Sequence, residues 1–155
     1  MISALIGLAF GLLWLLVGAA AVGAAAGKAI AAAGILLFGL AVFRVIRRRG
    51  GRANRRFHRL YYIAAVVTEV AAIVATQRWL LTHGQEALLF PVVGIIVGLH
   101  FIGLWLASKD RRFAWLTVAM VGLNCAALFL PLSPAGRVEL SGFGSAVALL
   151  VTASS

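Results

Sequence analysis

The chain has 155 residues, 63% of them hydrophobic and 12% charged, with 14 Lys and Arg against 4 Asp and Glu and a formal net charge of +10. A soluble domain of this length is about half apolar and keeps a polar face on each element, so a mean hydropathy of +1.06 with runs that are apolar all round argues against a water-soluble core and for helices solvated by lipid. The basic residues stand at the ends of apolar runs with no folded basic domain to hold a duplex, which excludes nucleic acid as a partner and favours anionic lipid headgroups, worth roughly 1 kcal/mol per nearby Lys or Arg.

The first apolar segment covers 2–25. The small residues after Val22 resemble a signal-peptide cleavage site, but no basic n-region precedes the run, and its apolar core exceeds the usual 7–15 residues or so. A transmembrane helix is expected. Gly23 to Lys28 reads as a tight connection, and a second span covers 29–46. Eighteen residues rise roughly 27 Å, just enough for a hydrocarbon core of about 30 Å, and Arg44 near the end can snorkel to the interface.

Residues 44–59 carry eight arginines, with Gly50 and Gly51 as a flexible turn between them. This stretch is the most basic of the chain. Arg47, Arg48, Arg49, Arg52, Arg55, Arg56 and Arg59 are expected to contact anionic headgroups or an acidic partner. A third span covers 60–81, with Tyr61, Tyr62 and Trp79 as aromatic anchors at its two ends. The polar loop THGQE (82–86) leads to a fourth span over 87–107, which accommodates Pro91 in its first turn.

The loop SKDRR (108–112) offers Asp110 as a helix N-cap. A fifth span over 113–130 is stopped by Pro131 and Pro134. The last run, 138–153, is apolar but short and contains Glu139 and several Gly and Ser. It reads as a sixth span, with a helix lying against the bundle as the alternative. The expected fold is therefore all-α: one transmembrane domain over 1–155, a bundle of six helices, or five in the alternative.

Orientation follows from counting. With six spans, the 44–59 stretch and the 108–112 loop share one side with both termini and hold eleven of the fourteen Lys and Arg; the other side holds Lys28, Arg78 and Arg137. Positive loops stay in the cytoplasm, so both termini are expected there. The bias toward Arg, Ala and Gly points to a multi-pass protein of a bacterial cytoplasmic (inner) membrane. Residues 6–15 (IGLAFGLLWL) also align with 97–106 (VGLHFIGLWL) at six identical positions. A 3 + 3 inverted repeat would give that, but so would common membrane-helix composition, and the flanking segments show no match.

Ionisable residues inside spans carry the most information, because each needs a partner or a water-filled cavity. Glu69 lies ten residues past Arg59, roughly 15 Å from the inner end of its helix. It shares a stripe with Tyr62, Ala65, Ala72 and Thr76. His100 lies nine residues before Lys109 on a helix running the other way, at a similar depth. Asn124, twelve residues past Arg112, is somewhat deeper, with Thr117 on its stripe.

Glu69, His100, Asn124, Tyr62, Thr76 and Thr117 are thus expected to form a substrate or proton site, with His100 able to switch near neutral pH. The plainer alternative is a hydrogen-bonded cluster that locks helices together at about 1 kcal/mol per bond. No catalytic residue, metal or cofactor is expected. His58, His83 and His100 share no depth, so paired haem ligation is disfavoured, and Cys125, the single cysteine, reads as a packing residue. Of the Gly-xxx-Gly pairs, Gly94 and Gly98 are best placed for internal helix packing, though a homo-oligomer face is the other use of that motif.

The helix containing VGLHF (97–101) resembles one found in small bacterial polytopic membrane proteins that have no assigned activity. That resemblance implies a membrane bundle and nothing about chemistry. The function expected is a small transporter or channel with a mid-membrane polar site, proton-coupled through Glu69 and His100. The alternative is a non-catalytic accessory or scaffold protein whose arginine-rich stretch docks anionic lipid or an acidic partner; a membrane enzyme is the third reading.

Overall fold

Apolar runs of about twenty residues, punctuated by Gly, Pro and charge, can satisfy their N–H and C=O groups without water only as helices. The computed structural model, which describes residues 2–47 and 59–154, forms six of them: α1 (Ile2–Ala21), α2 (Ala24–Arg47), α3 (Arg59–Thr82), α4 (Leu89–Ser108), α5 (Arg111–Phe129) and α6 (Pro134–Ser154). One turn of 3-10 helix, Glu86–Leu88, leads into α4. Arg48, Arg49, Arg52, Arg55 and Arg56 of the basic stretch, with Gly50, Gly51 and His58, lie outside the described residues.

Among the described residues, four stretches are long and apolar enough to cross a membrane: Ala24–Arg44, Leu60–Thr82, Glu86–Ser108 and Arg111–Phe129. That is compatible with a multi-pass membrane protein. So is the outer surface, where Leu36, Leu60, Trp115, Val118, Phe129 and Val151 are all largely exposed.

The helix ends follow local chemistry, and three of them differ from the sequence expectation, α1 stopping at Ala21 rather than at residue 25. Asp110 caps α5, its Oδ1 accepting from the Arg112 N–H at 3.2 Å, and Leu130 turns extended before Pro131, as a residue preceding proline must. Pro134, expected as part of the stop after α5, instead opens α6. Ser133 Oγ accepts from the Gly136 N–H at 3.0 Å, and proline at the first helical position needs no donor. That lengthens α6 to 21 residues, about 31 Å. The connection at 23–28 shrinks as well, because α2 begins at Ala24 and takes in Lys28; three alanines in a row favour helix over loop. Gly27 makes the tight turn feasible, since a side chain there would strike the Ala19 carbonyl.

The close contacts set α1 against α2 and α6, α3 against α4, and α5 against α4 and α6, each pair antiparallel, while α4 and α6, which also touch, run parallel. On α1 and α6, Gly7 meets Ala153, Gly11 meets Leu150, and Gly142 packs on the backbone of Gly18. Gly34 of α2 meets Leu15, Gly103 of α4 meets Ala65 of α3, Gly98 meets Val121 of α5, and Gly144 of α6 meets Leu123. The core lies among α1, α4, α5 and α6, where Trp14, Val97, Leu116, Met120, Ala146 and Leu149 pack together. α2 packs on α1, and α3 packs on α4, both at the edge of the bundle.

This up-and-down order brings both chain ends, Arg44, Arg47, Arg59, Lys109, Arg111 and Arg112 to one end of the bundle. Lys28, Arg78 and Arg137 lie at the other. The aligned segments of α1 and α4 do not occupy matching environments: Trp14 is 3% exposed in the core, whereas its counterpart Trp105 is 37% exposed beside Lys109.

Candidate functional site

The polar stripe of α3 is the face that it turns toward α4. Ala65, Glu69, Ala72, Ile73 and Thr76 are half-buried and Leu80 is buried, while Val67, Val70 and Val74 between them are exposed. The small partners Ala65 and Gly103 let the two backbones approach closely. One turn further along, Glu69 Oε2 lies 3.2 Å from His100 Nδ1, with the two side chains 13% and 9% exposed. Depth counting placed these two residues at one level, and the structure brings them together.

The contact is close but poorly aligned, and His100 Nδ1 has no hydrogen-bond partner. A buried polar atom in that state is uncommon. Whether the pair is carboxylate with imidazolium or carboxylic acid with imidazole depends on the position of one proton. The imidazole is braced by apolar contact, edge-on to Phe101, which stacks on Phe113 of α5.

Asn124 belongs to a different cluster. Its Nδ2 donates to Met120 O at 2.8 Å and to Ser145 Oγ at 3.0 Å, and its Oδ1 accepts from Ser141 Oγ at 2.5 Å. Asn124, Ser141 and Ser145 are all fully buried. Across from them Gly94 leaves the space that the Asn124 amide fills. Gly94 precedes His100 by six residues, so the two clusters stand about 9 Å apart along α4 and roughly 120° apart around it. The Asn124 cluster has the character of helix glue, with every side-chain polar atom of the asparagine partnered.

No family model, curated protein or solved structure matches the chain. The site is therefore read from its own chemistry.

Of the remaining expected site residues, Thr117 bonds back to Phe113 O of its own helix at 3.0 Å. Thr76 is half-buried on the α3 stripe, and Tyr62 is 36% exposed near the start of α3. Arg47 lies over the Phe43 ring at 5.3 Å at the end of α2. Sequence reading missed Ser141 and Ser145; their i, i+4 spacing on α6 puts two hydroxyls on one face, which was the available signal. Among the described residues no group of three His, Cys, Asp or Glu gathers to hold a metal ion.

The surface of the described residues carries open grooves, two of them sizeable. The larger, about 760 Å³, runs between α1 and the starts of α4 and α6; the other, about 590 Å³, lies on the outer face of α3 from Val66 to Arg78. Neither is lined by Glu69 or His100.

Proposed function

We propose that the chain is a six-span protein of a bacterial cytoplasmic membrane, both termini and the 44–59 stretch inside, and that it works as a small proton-coupled transporter or channel whose working group is the Glu69–His100 pair. The cation distribution supports the orientation, because the end carrying the termini is the arginine-rich one. A single observation carries the functional part: of the two polar clusters, only Glu69–His100 leaves a buried polar atom without a hydrogen bond. An ionisable pair at mid-membrane depth is more than helix packing requires.

The test is carboxylate infrared difference spectroscopy in nanodiscs, run beside proton flux in proteoliposomes. A titrating carbonyl band absent from Glu69→Gln, with a midpoint that moves in His100→Ala and flux lost in both, supports the reading. No titration and no flux, with both variants merely less stable, sinks it.

The second reading is the accessory or scaffold protein. It is favoured by the placement of both grooves away from Glu69, and it predicts a cytoplasmic face that recruits anionic lipid or an acidic protein through the arginines without any flux.

A further inference from the structure

The larger groove has three properties that together select an occupant. Its lining residues run along α1 from Ala9 through Ala20 to Ala21, with Phe90 of α4 and Pro134 and Val138 of α6. All are apolar, and they wall a volume of about 760 Å³. From Ala9 to Ala21 the α1 wall rises about 18 Å, close to one leaflet of a hydrocarbon core about 30 Å thick. The groove therefore starts at the bundle end that carries Lys28, Arg78 and Arg137 and stops near the midplane.

The third property is charge. Arg137 stands in the first turn of α6, beside Val138 and three residues past Pro134, both of which line this groove. It is half-buried, its Nε is buried without a hydrogen-bond partner, and no carboxylate among the described residues pairs with it. A guanidinium in that position lacks an anion, and its planar donor fork suits a phosphate. The leaflet-length apolar channel supplies the rest of the ligand.

We infer that this groove holds one anionic phospholipid of the leaflet opposite the arginine-rich end, with an acyl chain along α1 and its phosphate at Arg137. The inference rests on the membrane-spanning reading above but not on transport by Glu69. Zwitterionic lipid shares the acyl chain but carries no net charge, so Arg137 discriminates between the two headgroups. The open cleft lets a lipid enter sideways from the bilayer.

Native mass spectrometry from detergent, with phosphatidylglycerol and phosphatidylcholine offered together, tests this. The intact chain is expected to retain one phosphatidylglycerol in preference to phosphatidylcholine by about fivefold, the ratio that one Arg near an anionic headgroup sustains. Arg137→Gln is expected to bring the two lipids to parity. Ala20→Phe, at an exposed groove position, fills the channel from the surface and is expected to abolish retention of both, with helicity unchanged by circular dichroism. Equal retention of the two lipids by the unmodified chain overturns the inference, as does a preference that survives Arg137→Gln. Inorganic phosphate displacing the lipid headgroup preference while Ala20→Phe has no effect would mean a bare anion site. A dimer lost in Ala20→Phe would make the occupant a second copy. Either result overturns it too.

Discussion

Asn124 of α5 fills the notch that Gly94 leaves in α4, and a Cβ at position 94 would fall inside the Asn124 amide. The amide cannot step aside, because Met120, Ser141 and Ser145 hold it on its other sides. Gly94→Ala is therefore expected to destabilise the bundle by about 1–3 kcal/mol, the usual range for overpacking. Asn124→Ala frees that space but strands two buried hydroxyls, at about 1–2 kcal/mol for the lost bonds. The double variant is expected to lose less than the sum, since the asparagine that obstructs the new methyl is gone. Thermal unfolding in detergent of all four proteins measures this; strict additivity would mean that the two positions do not touch.

Glu69 and His100 are expected to respond asymmetrically. Glu69→Gln keeps the shape and removes the charge, leaving the imidazole beside a neutral amide. His100→Ala removes the partner and opens a gap, leaving a carboxyl group with no cation near it in a mostly buried seam. Removing one member of a buried pair is the more damaging change when a charge remains. His100→Ala should thus lower the unfolding temperature more than Glu69→Gln. The reverse order would place the pair's contribution in something other than charge compensation.

The helices were legible because apolar run length, proline and capping residues are local signals. Asp110 and Pro131 bound α5 as read, and Pro134 was misplaced only because one proline can end one helix or begin the next. Who packs on whom was not legible. In a soluble helix the apolar stripe names the buried face, but in α4 the outward residues are as apolar as the inward ones, so periodicity carries no azimuth there; in α3 only the small, polar stripe through Glu69 marked the inward face. Depth could be counted from charged ends, which is why Glu69 and His100 were matched correctly. Asn124 was grouped with them on depth alone; its direction, toward Ser141 and Ser145, depended on the packing of α6, whose start had been set four residues late.

The glycines of the bundle separate into those that set helix spacing and those that do not. A Cβ at Gly142 would strike the Gly18 backbone and the Trp14 carbonyl, none of which can rotate away. Gly39 of α2 faces open space. Gly142→Ala is expected to cost at the upper end of about 1–3 kcal/mol by prising α1 from α6. Gly39→Ala is expected to be neutral or to stabilise by up to about 1 kcal/mol through helix propensity. Comparable losses at both positions, measured by unfolding in the same detergent, would argue against the α1–α6 crossing.

Gly103 ties packing to the candidate site. Its absent side chain lets Ala65 of α3 sit against α4, three residues from His100 on one helix and four from Glu69 on the other. Gly103→Ala would set two methyls against each other and push α3 outward, and α3 has α4 as its main support. The Glu69–His100 distance should grow, and the coupling between them should fall from the ~1 kcal/mol typical of polar pairs between membrane helices. A double-mutant cycle at 69 and 100, repeated in the Gly103→Ala background, reads that loss directly. Adding Ala65→Gly removes the opposing methyl and should restore the coupling. Coupling unchanged by Gly103→Ala would mean that the ionisable pair, not the small-residue contact, sets the spacing of α3 and α4.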